Sequence, residues 1–409
     1  MSSLHPHATP EELGFDAHRL SRINDTLDAY VADRRLPGYL ATVSRGGELA
    51  YVAKGGHADR ELDKPVQDDT IWRIYSMTKP ITSIAAMMLY EEGKFDLNDS
   101  AGTWLDVLRE PRVYTGGAPS APQTVPATEP VRIWHLLSHM SGLAYGFTYA
   151  HNVDAIYRLK GYEFGWPKGA TLETAVNDWC SSPLVFNPGE AWNYSVATDV
   201  LGRLVEIWSG MPLDQFFQER ILGPLKMYDT GFYAPEDKHE RVAQLYAPIN
   251  GEATAIPSFA KGAFNSPSML SGGGGLVSTA HDYNRFLTML LRGGELDGVR
   301  LISPRTLSLM TENFIPGNKD LTEVARDSFS ETDSGGMGFG LGFAVLLDRA
   351  KNASLAANGL FTWGGAASTS FWVDPVEDIT VTFFTQLLPS STYPVRRIMQ
   401  QAVYQALVD

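Results

Sequence analysis

The amino-acid sequence predicts an α/β (α+β) protein in which one antiparallel sheet is built from both chain ends and flanked by helices. Strand-like runs occupy residues 39–54 and recur after residue 340, whereas helical periods fill most of the chain between them. The first two runs are joined at Arg45-Gly46-Gly47, which is typical of a hairpin and favours antiparallel pairing. We therefore expect a sheet at the termini and a helical insertion in the middle.

Periodicity and turn signals place the elements of the first half of the chain. Asp16 is predicted to cap a helix whose apolar stripe ends before Pro37-Gly38. The Pro-, Gly-, Ser- and Thr-rich stretch 110–130 is predicted to be a surface loop at a composition boundary. Short helices are predicted at 101–107 and at 131–139.

The second half of the chain changes from helical to strand-like patterns. Helices are predicted at 196–208, 213–222, 279–291 and 393–408, and strands at 341–347, 361–363, 368–373 and 379–386. These elements predict an α/β domain with an antiparallel sheet from residues 1–100 and 285–409, and a mainly helical insertion domain from residues 101–284.

Composition limits the partners that the protein can have. Lys and Arg number 33 against 47 Asp and Glu, a net charge of −14, which argues against nucleic acid and against an anionic membrane surface. The single cysteine, Cys180, excludes an intrachain disulfide and is expected to be a small buried apolar residue. We see neither a secretory signal nor an apolar run of about 18 residues, and therefore expect a cytoplasmic protein.

The strongest candidate for chemistry is Ser76-Met77-Thr78-Lys79 with the apolar helix that follows it. Ser76 and Lys79 are three residues apart, which places both side chains on one face of a helix. Pro80 is tolerated only in the first turn, so the helix is expected to begin at or just before Ser76. Ile81, Ile84 and Met88 recur at helical spacing and predict one buried face. The hydroxyl would then lie where free N–H groups favour negative charge.

This tetrapeptide alone is a weak signal. A second pair, Ser258 and Lys261, has the same spacing, but Gly262 and Pro267 follow it and we interpret that segment as a loop. On the tetrapeptide alone, Ser76 is more simply a helix-capping serine beside a solvated lysine. The choice therefore depends on the rest of the sequence.

Other catalytic motifs are absent or incomplete. No Gly-x-Ser-x-Gly elbow occurs, which removes support for an α/β-hydrolase arrangement. His135 and His139 have zinc-ligand spacing without nearby acidic ligands, so a structural role is favoured over a metal. The glycine turn 271–275 lacks the residues of a phosphate loop and indicates close backbone packing. A serine without a His–Asp pair needs another base, either a desolvated Lys79 or a tyrosine near it.

Four motifs occur in one order along the chain and settle the choice by resemblance: Ser76-Met-Thr-Lys79-Pro80, His135-Leu-Leu-Ser-His-Met-Ser-Gly-Leu143, Pro188-Gly-Glu-Ala-Trp-Asn-Tyr194-Ser195 and Leu222-Gly-Pro-Leu225. The set resembles the class C β-lactamase and penicillin-recognising serine hydrolase superfamily, and within it most the family VIII carboxylesterases. The resemblance spans about residues 10–408. It implies a β-lactamase-like fold with the active site in a cleft between the mixed α/β domain and the all-helical domain.

The resemblance also implies roles for individual residues. Ser76 would be the nucleophile, Lys79 its partner, and Tyr194 the base that later acts as acid on the leaving group. The oxyanion hole would consist of the backbone N–H groups of Ser76 and Ala366. The family's third motif begins with a cation, Lys-Thr-Gly, whereas this chain has Trp363-Gly364-Gly365, and the Asn that closes the tyrosine triplet is Val196. These four residues and Tyr145 are the predicted substrate-binding positions.

The predicted function is therefore a serine carboxylesterase acting on a small-molecule ester through an acyl-enzyme on Ser76. The replacement of the cation by Trp363 removes a group that would hold the carboxylate of a β-lactam or peptide. A β-lactamase or D-amino-acid peptidase, an acyltransferase, and a catalytically inactive binding protein remain alternatives. No cofactor or metal is predicted, and the sequence leaves the oligomeric state open.

Overall fold

The structure, a computed structural model, describes residues 4–326 and 334–408. The α-helices are α1 (Ala17–Leu20), α2 (Arg22–Ala32), α3 (Thr78–Glu91), α4 (Ile133–Leu137), α5 (Asn152–Leu159), α6 (Leu172–Cys180), α7 (Ala197–Ser209), α8 (Leu213–Phe217), α9 (Pro257–Ala260), α10 (Ala280–Leu291), α11 (Pro304–Met310), α12 (Leu321–Val324), α13 (Arg349–Asn352) and α14 (Val395–Tyr404). The β-strands are β1 (Gly38–Arg45), β2 (Glu48–Asp59), β3 (Lys64–Pro65), β4 (Trp72–Arg73), β5 (Arg112–Ala118), β6 (Ala121–Pro126), β7 (Tyr246–Ile249), β8 (Glu252–Ala255), β9 (Val277–Ser278), β10 (Glu295–Leu296), β11 (Val299–Arg300), β12 (Met337–Phe339), β13 (Ala344–Leu346), β14 (Phe361–Gly364), β15 (Ser370–Asp374) and β16 (Ile379–Phe384).

Strands from both chain ends form one sheet, as the sequence predicts. Eight of the described strands pair in the order β12-β13-β14-β15-β16-β1-β2-β3, and neighbouring strands are antiparallel. The two ends of the chain meet where β1 pairs with β16, from Leu40 opposite Phe384 to Arg45 opposite Ile379. Strand β12 was not predicted from the sequence, because three residues are too few to show a period.

Helices cover both faces of the sheet. Tyr39 of β1 donates to Asp28 of α2, whereas Thr42 of β1 donates to Asn284 of α10. Because side chains alternate along a strand, residues 39 and 42 point to opposite faces, which places α2 and α10 on opposite sides. Helix α10 also packs against β15 and β16. The predicted boundary at 284/285 falls inside this sheet-covering helix, and the division into two domains stays a prediction.

Helix α3 is more deeply enclosed than its apolar period indicates. The period predicts one buried face, but each residue from Thr78 to Leu89 is buried. Helix α7 packs along α3, and buried polar residues of α3 make tertiary hydrogen bonds, as when Thr82 donates to the carbonyl of Gly272 at 2.6 Å and Thr78 accepts from the Leu276 N–H at 3.1 Å. Pro80 lies in the first turn of α3, as predicted. No helix among the described residues is long and apolar enough to cross a bilayer.

Two predicted loops contain regular structure. The stretch 110–130 is not a loop throughout, because β5 and β6 pair there as a hairpin. Its side chains are mostly exposed, so it lacks the alternating apolar pattern that would have predicted strands. The Ser258 segment is likewise helical rather than a loop, with one turn (α9) beginning at Pro257. A proline at the first helical position starts a helix without losing a hydrogen bond.

Two smaller predictions concern single residues. The Asp16 side chain accepts a hydrogen bond from the Arg19 N–H at 2.8 Å and caps α1, as expected. Cys180 at the end of α6 is buried, and burial raises the pKa of its thiol to about 12. Cys180 is therefore a neutral, buried residue, and its predicted apolar role is confirmed.

Candidate active site

Ser76 lies in a strained turn between β4 and α3. The turn is a 3₁₀ segment, Tyr75–Met77, that leads directly into the first residue of α3. Tyr75 has a φ of 44°, a region that non-glycine residues seldom occupy. Such strain persists only where the surrounding structure enforces it, and here β4 is held by its pairing with β9. Ser76 itself is buried, with 8% of the residue exposed.

The Lys79 side chain is buried beneath Ser76 and contacts three oxygen atoms. Its Nζ lies 3.3 Å from Ser76 Oγ, 2.9 Å from Tyr145 OH and 2.7 Å from the carbonyl oxygen of Gly273. An ammonium group has three N–H donors, and these three oxygens can accept one bond each. The geometry therefore accommodates Lys79 in its protonated form.

Tyr194 lies on the other side of the Ser76 hydroxyl. The two oxygens, Tyr194 OH and Ser76 Oγ, are 2.6 Å apart, and the Lys79 Nζ is 4.5 Å from the centre of the Tyr194 ring. A cation this close stabilises the negative charge that Tyr194 would carry as a phenolate. The structure thus brings together Ser76, Lys79 and Tyr194, the three residues to which the resemblance gives catalytic roles.

The glycine turn 271–275 has a role that sequence reasoning missed. Close packing, as predicted, is observed, because a Cβ on Gly273 would overlap the carboxylate of Asp199. In addition, the Gly273 carbonyl accepts the hydrogen bond from Lys79, and the Gly273 N–H donates to Asp199 Oδ1 at 3.0 Å. Ser271 Oγ donates to the same oxygen at 2.5 Å. The turn therefore connects a buried carboxylate to the lysine of the site.

Asp199 was not singled out from the sequence. It occupies the first turn of α7, where an acidic residue is ordinary because of the helix dipole. Its burial is the unusual feature: burial raises the pKa of the Asp199 carboxyl, while Lys79 and the donors Ser271 and Gly273 act in the opposite direction. At helical spacing Asp199 aligns with Arg203 and Glu206 on the polar side of α7, so the sequence pattern gives no signal of its burial.

The segment that carries the predicted oxyanion-hole residue Ala366 packs against the turn before Ser76. Ala366 follows β14 and Gly365, and a Cβ on Gly365 would overlap the carbonyl of Ile74. At Gly364 a Cβ would instead meet the guanidinium of Arg396, the end of a long side chain that can move. Gly365 is thus the glycine that allows close approach of the backbone. The role of the Ser76 and Ala366 N–H groups stays a prediction.

The remaining predicted substrate-binding residues differ in position. Trp363 is buried, and its indole Nε1 lies 3.4 Å from Tyr194 OH. Val196 is buried at the start of α7, and its N–H donates to the carbonyl of Ala144. Tyr145 is half-buried, and its hydroxyl accepts a hydrogen bond from Lys79, as described above. Their direct contact with a substrate stays a prediction.

The two histidines of the second motif are buried and neutral. His135 Nδ1 accepts from the Arg132 N–H at 3.0 Å, and burial with the nearby Arg132 charge lowers its pKa to about 3. Burial and the Lys79 charge hold the pKa of His139 well below its usual value, and its Nδ1 lies 3.2 Å from Ser195 Oγ. The His139 ring packs edge-on against Tyr194, with centroids 5.0 Å apart. Within residues 4–326 and 334–408, no cluster of three or more potential metal ligands occurs.

Comparison with known proteins shows which family the chain is similar to. The beta-lactamase family model matches residues 23–406. Protein Rv1367c of Mycobacterium tuberculosis is 36% identical over 358 residues, 87% of this chain and 86% of its own. Esterase EstB of Burkholderia gladioli is 30% identical over 418 aligned residues, covering 97% of this chain and 98% of its own.

A solved structure shows the same fold over almost the whole chain. EstCE1, described as a hydrolase with promiscuous acyltransferase activity, superposes with a TM-score of 0.80 at 28% identity, covering 97% of this chain and 99% of that one. The predicted resemblance to the family VIII carboxylesterases and the predicted β-lactamase-like fold are confirmed. The chain belongs to the beta-lactamase family.

Proposed function

We propose that this protein is a serine carboxylesterase that hydrolyses short-chain carboxylic esters through an acyl intermediate on Ser76. The observation that carries the proposal is the 2.6 Å approach of Tyr194 OH to Ser76 Oγ beside the buried Lys79. A nucleophile and its base within hydrogen-bonding distance, with a third group fixing the base, form the minimal machinery for acyl transfer. The similarity to Esterase EstB and to EstCE1 supports the same reaction.

In the acylation step, the Tyr194 phenolate takes the proton of the Ser76 hydroxyl as Oγ attacks the ester carbonyl carbon. The carbonyl oxygen becomes an oxyanion, which the N–H groups of Ser76 and Ala366 are proposed to stabilise. When the carbon–oxygen bond to the alcohol breaks, Tyr194 returns the proton to the departing oxygen. The Lys79 ammonium stabilises the phenolate before and after each transfer.

In the deacylation step, the same groups act on water. Tyr194 removes a proton from a water molecule, the resulting hydroxide attacks the acyl carbon, and the bond to Ser76 Oγ breaks. The proton passes from Tyr194 back to Ser76 Oγ, and the carboxylic acid is released. Ser76, Lys79, Tyr194 and the two backbone N–H donors thus account for each proton transfer and charge in the proposed cycle.

The substrate class follows from the lack of a positive charge at Trp363. The corresponding family position carries a cation, whereas the Trp363 indole is uncharged and its N–H lies close to Tyr194 OH. A charge-assisted hydrogen bond to a carboxylate contributes ~1.5–3 kcal/mol, so its loss costs on the order of tenfold to a hundredfold in binding. The valine at 196 removes a further polar contact. A neutral ester needs neither group.

We therefore expect kcat/KM for a p-nitrophenyl ester of two to six acyl carbons to exceed that for nitrocefin by at least about a thousandfold. Both substrates are measured in steady-state assays on one preparation, with the ester series extended to palmitate. Comparable efficiencies, or a preference for nitrocefin, would show that Trp363 and Val196 do not set the substrate class and would favour a β-lactamase.

Acyl transfer to an alcohol is the second candidate, because EstCE1 is described as having promiscuous acyltransferase activity. Tyr194 would deprotonate an alcohol by the same route as water, so the two reactions share the acyl-Ser76 intermediate. Product analysis with an added alcohol distinguishes them: hydrolysis releases only the free acid, whereas transfer also yields the new ester.

A row of aromatic rings leads from the site to the surface and suits the acyl chain. Tyr145 stacks on Phe147 with centroids 4.7 Å apart, and Phe147 stacks on Phe164 at 6.4 Å. Exposure rises along the row, from the half-buried Tyr145 and Phe147 to Phe164, which is 68% exposed. The row begins at Tyr145, which contacts Lys79, and so offers an apolar surface on which an acyl chain attached to Ser76 could pack.

Phe147→Ala is expected to lower kcat/KM for p-nitrophenyl hexanoate about three- to tenfold while changing the value for the acetate less than twofold. The reason is that each buried methylene contributes ~0.8 kcal/mol, and only the longer chain reaches the ring. Tyr228→Ala is a control for the loss of an aromatic ring outside the row, since Tyr228 is 68% exposed, as Phe164 is, and has no ring contact with the row among the described residues. An equal loss for both esters would place the acyl chain elsewhere.

A further inference from the structure

Asp199 is a buried acidic group that the proposed mechanism does not use. Its side chain is 3% exposed, and two donors, Ser271 Oγ at 2.5 Å and the Gly273 N–H at 3.0 Å, bind the same carboxylate oxygen, Oδ1. Two donors on one oxygen are the pattern expected of a carboxylate, which only accepts hydrogen bonds. A buried carboxylate is costly unless a cation offsets its charge.

The offsetting cation is Lys79. Its Nζ donates to the carbonyl of Gly273, the residue whose N–H is held by Asp199, so one peptide turn links the two charges. Burial is the largest effect and raises the pKa of the Asp199 carboxyl, whereas the Lys79 charge opposes that rise by favouring the ionised form. By the reciprocity of charge interactions, Asp199 must favour the protonated form of Lys79 equally.

The other titratable groups that face Lys79 do not supply this charge. Tyr145 and Tyr194 approach it through a hydroxyl and a ring, and His139 is neutral because burial and Lys79 itself lower its pKa. Asp199 is the carboxylate that the structure connects to Lys79 through Gly273. Gly273 is required for this link, because any side chain at that position would overlap Asp199.

We propose that Asp199 is a positioning residue that fixes Lys79 through the 271–275 turn and keeps it protonated, so that Tyr194 and not Lys79 is the base. This inference rests on the proposed esterase function. In the active form, Tyr194 is a phenolate and Lys79 an ammonium. The activity is therefore lost at high pH when Lys79 releases its proton.

The test is Asp199→Asn, which keeps an acceptor oxygen for Ser271 and Gly273 but removes the charge. A negative neighbour favours the ammonium, so without it Lys79 loses its proton at lower pH. We expect the alkaline limb of the kcat/KM profile, measured with p-nitrophenyl butyrate, to move about one pH unit lower. KM is expected to change less than twofold, because Asp199 does not touch the substrate.

Asp282→Asn is the matched control. Asp282 is likewise 3% exposed and accepts a backbone N–H and a hydroxyl on one oxygen, from Asp229 at 2.7 Å and Thr230 at 3.0 Å, and neither partner belongs to the proposed site. Its variant should keep the wild-type pH profile even where its melting temperature falls. An alkaline limb that is unchanged in Asp199→Asn, or one that moves equally in Asp282→Asn, would overturn the proposal.

A reserve variant keeps the inference testable if Asp199→Asn does not fold. Ser271→Ala removes one of the two donors that orient the carboxylate, and we expect kcat to fall at least threefold at unchanged KM. An unchanged kcat would contradict the proposal. The wild type is assayed first: absence of ester turnover refutes the proposed function, whereas an active wild type with an unshifted Asp199→Asn profile refutes only the role of Asp199.

Discussion

Ester turnover and covalent labelling by a fluorophosphonate are expected to disappear in Ser76→Ala, with kcat/KM falling on the order of 10⁴–10⁶-fold. Ser76 Oγ is the oxygen that lies 2.6 Å from Tyr194 OH and 3.3 Å from Lys79 Nζ. Replacing it with a hydrogen removes the only atom of the site proposed to form the acyl bond, while the turn around it is unchanged. Labelling is read by intact-protein mass spectrometry beside the kinetic assay.

Ser258→Ala is the control for this prediction. Ser258 also has a lysine three residues later, but it lies on the single-turn helix α9 and is exposed, as is Lys261. We expect this variant to keep labelling and turnover near the wild-type values. Labelling that is lost with Ser258 and retained without Ser76 would refute the assignment of the nucleophile.

The second large effect is expected for Tyr194→Phe, which removes the phenolic oxygen and keeps the ring. A general base typically accelerates a reaction ~10²–10⁴-fold, and we expect kcat/KM to fall at least ~10²-fold. The ring contacts with Tyr145, Trp363 and His139 do not depend on the hydroxyl, so the fold should be retained by circular dichroism. The measurement is kcat/KM for p-nitrophenyl butyrate at the wild-type pH optimum.

A Tyr194→Phe variant that retained most of its activity would assign the base role to Lys79. The activity would then rise, rather than fall, at the pH where Lys79 releases its proton. The reason is that a lysine that acts as base must lose its proton before it accepts one from Ser76. The pH profile of the wild type therefore provides an independent check on this prediction.

Local patterns were sufficient where a residue's neighbours in the chain decide its structure. The stripe that predicts α2, the Arg45-Gly46-Gly47 turn and the first-turn position of Pro80 all depend on spacings of a few residues. The same reasoning failed for 110–130, where exposed strands pair without an apolar face and therefore leave no period. It also failed at β12, which is defined by its partner β13.

Within the site, the sequence by itself determined that Ser76 and Lys79 lie close together, because side chains three positions apart share one face of a helical turn. It did not determine what surrounds that pair. Tyr194 is 118 positions from Ser76, Tyr145 is 66 from Lys79, and Gly273 is 194 from Lys79. The resemblance identified Tyr194, but the contacts of Lys79 with Tyr145 and Gly273, and of Gly273 with Asp199, exist only in the folded chain. The packing of α7 and the glycine turn against α3 decides them, and no spacing within one element encodes that packing.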